Sequence, residues 1–417
     1  MTSGGDPPTP NPDRLPSKSL VTASVGGSIP RFFVFVACVQ FLLWLPIWVI
    51  YFQERGLSLT QIGLLDGIGW LFMAAAEVPT GALADRYGRK ASLVVGGVLV
   101  GVSMLALLAE LLSPVFLVGW MLWGVAHTFF SGATDAWLYD TLKAEGRAAE
   151  YPRFAGRHFA VIQSSQGVAS VVGAWVATFD MSLCFIVPAI LGFIGAVIAW
   201  TLREPPTVLG NGASRRDWSE IAQAVRIAGG QPVVRYLVLI GASTLVFPFL
   251  LVFMLLQPYA AGLGIPIWAL GPIVLLRGLG AAFGSLLADR VSGWLGSGRV
   301  LIGTQAVTVL CMALMAFAVT PPIMALFVVT SFASGLLRPV LSALLNAEIP
   351  SEQRATIISL QSLLWTVFLA AVEPVLFALG DRTGLPFAIG GSAIVLAIVA
   401  SVLLGLWRRA VSSRAVA

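Results

Sequence analysis

Gly81-Ala82-Leu83-Ala84-Asp85-Arg86-Tyr87-Gly88-Arg89-Lys90 decides how the chain is read. Asp85, Arg86, Arg89 and Lys90 crowd into ten residues of a protein in which 11% of residues are charged. Uninterrupted apolar runs flank the cluster on both sides. Charges so dense cannot sit in hydrocarbon, so the stretch reads as a tight turn at a membrane surface. Gly81 and Gly88 permit close helix approach and positive φ. The arginines and lysine mark the turn as cytoplasmic.

Composition leads to the same class. Of 417 residues, 58% are hydrophobic, and the mean hydropathy is +0.90. A soluble domain uses about 45–50% apolar residues. The net charge of +5 does not point to nucleic acid, because the charges fall in short breaks between apolar runs. Cys38, Cys184 and Cys311 are isolated in such runs, without metal-site or disulfide spacing. They read as small buried hydrophobes. No cofactor or metal is expected.

Working outward, residues 1–30 are rich in Pro, Ser and Gly, and read as a disordered cytoplasmic tail without a cleavable signal. Twelve apolar segments follow, each of about 20 residues or more, enough to span a bilayer. They lie near 32–52, 61–82, 91–112, 115–141, 158–179, 182–202, 235–259, 267–288, 299–319, 322–346, 355–378 and 385–407. With the N-terminus in the cytoplasm, Arg55 and Arg382 fall outside and Arg277 and Arg338 within spans. The other 21 of the 25 Lys and Arg residues are then cytoplasmic, a bias that orients the chain. Residues 203–234 form the longest break, in which Trp218, Ile221, Ala222 and Val225 suggest an interfacial helix. It separates a six-helix bundle at 31–202 from another at 235–409, and 410–417 reads as a cytoplasmic C-terminal tail.

The two bundles read as repeats. Asp85-Arg86 recurs as Asp289-Arg290, Ser131-Gly132 as Ser334-Gly335 and Pro46 as Pro248, at offsets of 204, 203 and 202. The expected fold is therefore all-α and membrane-embedded, with twelve transmembrane helices in two pseudo-symmetric bundles and a midplane site between them.

The pattern G-x-x-x-D-R-x-G-R-K at 81–90 resembles the loop between helices 2 and 3 of the major facilitator superfamily of secondary transporters. The resemblance runs from Arg31 to Arg409, although only this loop is strongly specific. It implies a gating latch made of Gly81, Asp85, Arg86, Gly88, Arg89 and Lys90. In that latch Asp85 would meet the start of helix 11 and Arg89 would reach Asp140. Many family members carry an Arg in helix 4, four residues before a glycine; here Trp120 stands at that place before Gly124. The Gly-Pro-x-x-Gly-Gly signature of antiporters is absent from 158–179.

Charges within spans are costly, about 2.5–3.5 kcal/mol at the helix centre on insertion scales, and so mark candidate sites. Asp135 and Arg338 hold repeat-equivalent places and are expected to pair across the bundles when the cytoplasmic side closes, with Asp135 carrying a proton. Glu77 shares a helical face with Gly81 and Asp85, and is expected either in the latch or as a second carrier. Asp66 and Glu373 are expected near the outer surface, in water. Gln40, Trp44, His127, Gln163 and Arg277 are the expected cavity residues.

Their sum is an alternating-access transporter of a small organic solute, drug-efflux-like, exporting lipophilic compounds against protons. A nutrient symporter is the alternative. A membrane transferase is the remote one, because His127 and His158 open no H-x-x-x-x-D pattern and no DxD occurs. The expected partners are substrate, protons and lipid, with the chain a monomer in the inner membrane. Cysteines placed in 81–90 and in 203–234 should react with impermeant maleimide only from the cytoplasmic side. Labelling of 81–90 from outside intact cells would reverse the topology.

Overall fold

The computed structural model describes residues 27–205 and 225–416. Nearly all of the expected N-terminal tail, and Trp218, Ile221 and Ala222 of the linker face, lie outside them. Among the described residues there are helices and no strand. We label the spanning elements α1 (Ser28–Val39 with Trp48–Glu54), α2 (Leu59–Tyr87), α3 (Arg89–Ala106), α4 (Pro114–Phe130 with Ala133–Ala144), α5 (Tyr151–Val176) and α6 (Leu183–Thr201). After the linker come α7 (Pro232–Thr244 continuing to Gly262), α8 (Ile267–Leu295), α9 (Ser297–Phe317), α10 (Ala325–Glu348), α11 (Ser351–Thr383) and α12 (Leu385–Val416). Eleven are long and apolar enough to cross a membrane as continuous or nearly continuous helices, and α1 is the exception.

Local sequence explains the ends. Ser58 and Gln61 form a capping box at the start of α2, and Ser113 caps α4 with Pro114 in the first turn. The helices α2 and α8 each run 29 residues and stop at Gly88 and Gly296, at φ 97° and 82°. This equivalence refines the repeat. Asp85 lies two residues before its helix end and Asp289 six before its own, so the second Asp-Arg sits one turn deeper. The tail expected at 410–417 is instead a continuation of α12 through Val416, tied by Arg414 to Glu348 at the end of α10.

The first span is broken. Backbone from Gln40 to Ile47 leaves the helix around Pro46, which cannot donate a ladder hydrogen bond. Freed amides and carbonyls find no water in hydrocarbon and need protein partners. Gln257 of α7 supplies them: its Oε1 accepts from Val49 N at 2.9 Å and its Nε2 donates to Leu45 O at 3.0 Å. A Cβ on Gly173 of α5 would stand 2.0 Å from Leu43 O, so only glycine admits the displaced chain. The partner span α7 carries a matching irregularity, a π-turn at Leu251–Leu255 after Pro248.

The bundles touch at one end. Numbering runs oppositely along α2 and α11: Leu59 and Thr60 meet Asp381, Gly63 meets Phe377, and Gly67 meets Ala370 and Pro374. Gly271 of α8 packs on Ser170 and Val171 of α5. These contacts lie in the halves away from the 81–90 loop; we call that the far end. At the loop end Gly81 and Gly156 face open space. The structure is sealed at the far end and open at the loop end.

Replacing Gln257 by Leu leaves two buried backbone groups unpaired. It should cost about 2 kcal/mol and lower the apparent melting temperature in detergent by several degrees. An unchanged melting curve would show that the unwound stretch is held by other contacts.

Candidate functional site: a cleft at the open end and two aromatic clusters

The open end leads into a cleft of about 560 Å³ lined by Phe33, Arg157, Ala160, Val161, Ser164 and Ser165. Arg157, Ala160 and Ser164 share a helical face of α5 with Gly167, which meets Leu275 of α8, so the cleft faces the opposite bundle. Above it, Gln166 Nε2 donates to Gln40 Oε1 at 2.9 Å, at the start of the break in α1.

Aromatic rings cluster in the core of the first bundle. Trp44 lies 5.2 Å from Trp123 and Trp48 5.1 Å from Trp120, while Trp123 meets His127 at 4.7 Å. Trp44 Nε1, Trp123 Nε1 and His127 Nε2 are buried and have no hydrogen-bond partner. A second cluster spans both bundles: Trp70 of α2, Phe249 of α7 and Trp365 of α11 pack edge to face at 5.0–5.9 Å. Phe249 stacks on Phe253, and the Arg277 guanidinium lies 4.1 Å above the Phe253 ring. Such a contact, desolvated, is worth about 2 kcal/mol. It occupies the cation, which has no carboxylate at salt-bridge distance among the described residues.

At the loop end Gly88 makes the whole turn. Glu204, just after α6, accepts from Arg89 N at 2.6 Å and from Lys90 N at 2.7 Å, an anion seated on the first turn of α3. Lys90 stands over the Trp200 ring at 5.2 Å. The loop backbone is thus held by its own bundle. At the far end Asp381 accepts from Leu59 N, Thr60 N and the Thr60 hydroxyl, capping α2 from the opposite bundle.

The family model described as Major Facilitator Superfamily matches residues 32–372. The chain belongs to that superfamily. Among relatives, an uncharacterised MFS-type transporter of Methanocaldococcus jannaschii is 28% identical over 162 residues, 38% of this chain and 40% of that protein. The multidrug resistance protein MdtH of Salmonella choleraesuis is 25% identical over 178 residues, 40% of this chain and 41% of the relative. The matches thus span about two fifths of these relatives. Among solved structures, a bacterial homologue of the human lysosomal transporter Spinster, inward-facing and unoccupied, superposes with a TM-score of 0.71 at 14% identity, covering 93% of this chain and 98% of that one. The nucleoside transporter NupG gives 0.70 at 15% identity, covering 92% and 99%. The protein is therefore a multi-pass membrane transporter of the superfamily, not an enzyme.

Within this superfamily member the expected site residues fall into three groups. Gln40 meets Gln166 on α5, Trp44 and His127 both pack on Trp123 and Arg277 on Phe253, and none of the four lines the cleft itself, whereas Gln163 is exposed. Asp135 does not face Arg338 in this conformation: its Oδ1 lies 3.0 Å from His158 Nδ1, within one bundle. The reason is the break in α4 at Ser131-Gly132, which starts a new helix whose first turn carries Asp135 toward α5. Arg338 is exposed on α10, without a carboxylate at salt-bridge distance among the described residues. Glu77 is half-buried on α2, and Asp140 is half-buried on α4. The Asp85 side chain lies outside the described residues.

Asp66 and Glu373, expected in water, are buried at 4% and 0% exposure. Their burial follows from the α2–α11 crossing, which sequence spacing alone does not reveal. The usable signal was the pair of glycines, Gly63 and Gly67, bracketing Asp66 on α2.

The turn gives a paired test. A Cβ on Gly88 would lie 2.8 Å from the Glu204 carboxyl, on a backbone at φ 97°. Gly88→Ala should cost about 1–2 kcal/mol of thermal stability, while Gly81→Ala, in open space within a helix, should be neutral or slightly stabilising. Equal melting points for the two variants would contradict the geometry.

Proposed function

We propose that the protein exports lipophilic, aromatic organic solutes by alternating access, in exchange for protons. The observation that carries this reading is the cleft at the loop end, entered past Phe33 and Val161, with buried indole and phenyl clusters deeper in the two bundles. Aromatic walls bind flat apolar solutes by area and edge-to-face contact. The three unpartnered ring nitrogens of Trp44, Trp123 and His127 add a few directional contacts without selecting one polar substrate. The partial similarity to MdtH, named for multidrug resistance, points the same way. The loop end is taken as cytoplasmic from the distribution of Lys and Arg, which places both termini there, in the inner membrane, with the chain acting as a monomer.

In this reading Asp135, exposed at the cavity mouth and held by His158, carries the proton. On closure of the cytoplasmic side it would exchange His158 for Arg338. Glu77 is the reserve carrier. Gly81, Asp85, Arg86, Gly88, Arg89, Lys90 and Asp140 would form the closing latch, with Asp85 on α11 and Arg89 on Asp140. A latch pair partly screened by water contributes on the order of 1 kcal/mol, a several-fold change in population.

Reconstituted protein should move lipophilic aromatic fluorophores several-fold faster under an imposed pH gradient. Trp44→Ala and Trp123→Ala should raise the half-saturating concentration, and Asp135→Asn should abolish gradient-driven flux while sparing exchange. Flux restricted to hydrophilic nutrients, or indifferent to the pH gradient, would overturn the reading.

A further inference from the structure

The far-end seal contains an electrostatic oddity. Asp66 of α2 and Glu373 of α11 come from opposite bundles and are brought together at the helix crossing where Gly67, next to Asp66, packs on Ala370 and on Pro374, next to Glu373. Both are buried, Glu373 completely. Trp70 Nε1 donates to Asp66 Oδ2 at 2.9 Å. Neither oxygen of Glu373 meets any donor. Two acceptor groups pressed together repel unless one of them supplies a hydrogen.

The surroundings provide no other neutralising charge. On α2 the next ionisable group is Glu77, three turns toward the loop end, and on α11 it is Asp381, engaged with Leu59 and Thr60. From α4 come Trp120 and Trp123, with His127 behind Trp123 and Asp135 on His158 farther down. From α1 come Tyr51, Glu54 and Arg55, with Arg55 bound to Leu107 O. The charges of α3, Arg89 and Lys90, and of α12, Arg408, Arg409 and Arg414, sit at the loop end. On α7, Arg235 and Tyr236 lie at the loop end, and Tyr259 donates to Met315 O. Arg277 of α8 is stacked on Phe253. Among the described residues no cation reaches either carboxyl within salt-bridge distance.

We propose that the Asp66–Glu373 pair is a proton-binding site that locks the far face: one shared proton holds α2 against α11, and its loss opens them. The proton sits on one carboxyl oxygen and is donated to the other carboxylate, so the closed pair carries a single negative charge, which Trp70 also stabilises. When the proton leaves to water on the far side, two carboxylates remain, and their repulsion together with hydration of both drives the helices apart. Rebinding of one proton reverses the step. The lock rests on the alternating-access reading, but it does not require Asp135 to be the coupling carrier. A metal ion fits less well, because the indole N–H of Trp70 already points at Asp66.

The test places spin labels at Glu54→Cys and Arg382→Cys, both exposed at the far end, with Cys38, Cys184 and Cys311 replaced by alanine. Interspin distances are read by double electron–electron resonance in liposomes between pH 5 and pH 9. With native Asp66 and Glu373, the open-to-closed ratio should rise with pH by up to tenfold per unit, since closure retains one proton. Glu373→Gln, whose amide can donate to Asp66, should stay closed across the range, as should the double change Asp66→Asn with Glu373→Gln. The exchange Asp66→Glu with Glu373→Asp should keep the pH response. A native pair insensitive to pH, a Glu373→Gln protein that follows pH like the native pair, or a response to sodium at fixed pH would each overturn the proposal. Flux measured in the same liposomes separates the two readings. Gradient-driven flux with a gate that ignores pH removes the lock alone; a pH-responsive gate without flux supports the lock and removes the transport reading.

Discussion

Hydrocarbon offers backbone amides no hydrogen-bond partner, and this constraint governs where the fold can depart from the helix. The chain departs from it over Gln40–Ile47 and solves the problem from the other bundle. One side chain, Gln257 of α7, serves both an amide and a carbonyl of the unwound stretch. The cavity top is therefore shared property of the two bundles. Movement of α7 away from α1 strips partners from exposed backbone, so the break can persist only while the far end is closed or while other groups replace the amide. The π-turn in α7 lies beside this contact and gives the partner helix its own loose turn.

Charge is handled differently at the two ends. At the loop end, carboxylates and cations sit near water and bond to backbone or to each other, as Glu204 does with Arg89 N and Lys90 N. Deeper in, Arg277 is accommodated by a ring and Asp66 by an indole N–H. The contrast follows from dielectric: in water a misplaced charge is screened, whereas in the seal each group must be neutralised by a specific neighbour. Aromatic side chains do much of that work here. In the proposed function, substrate recognition and charge accommodation would draw on the same residues.

Most of the architecture was legible from apolar run lengths, the 81–90 loop and the repeat offsets, because these depend on composition and local order. The position of the break in α1 was hinted at by Pro46, but its repair by Gln257 was not, since Gln257 lies 212 residues from Leu45 and 208 from Val49 in sequence with no spacing rule to join them. Asp135 was matched to Arg338 by symmetry. In this conformation, open at the loop end, the break at Ser131-Gly132, which has no counterpart in the continuous α10, turns Asp135 to His158 instead. Asp66 and Glu373 were misread for a related reason. Distance from a span end suggests depth, but it says nothing about which neighbour covers the side chain.

Helix α3 is secured at both termini by side chains from elsewhere in its bundle. Glu204 holds its first amides, and Arg55 donates to Leu107 O and Ala109 O at the opposite end. Each contact places a charge where the helix dipole favours it. Broken elements such as α1 and α4 can flex at their breaks; α3 has no break and is clamped lengthwise. It is suited to act as a strut, passing a displacement at one membrane surface to the other without absorbing it. A transporter that must report at one surface what has happened at the other needs at least one such incompressible part.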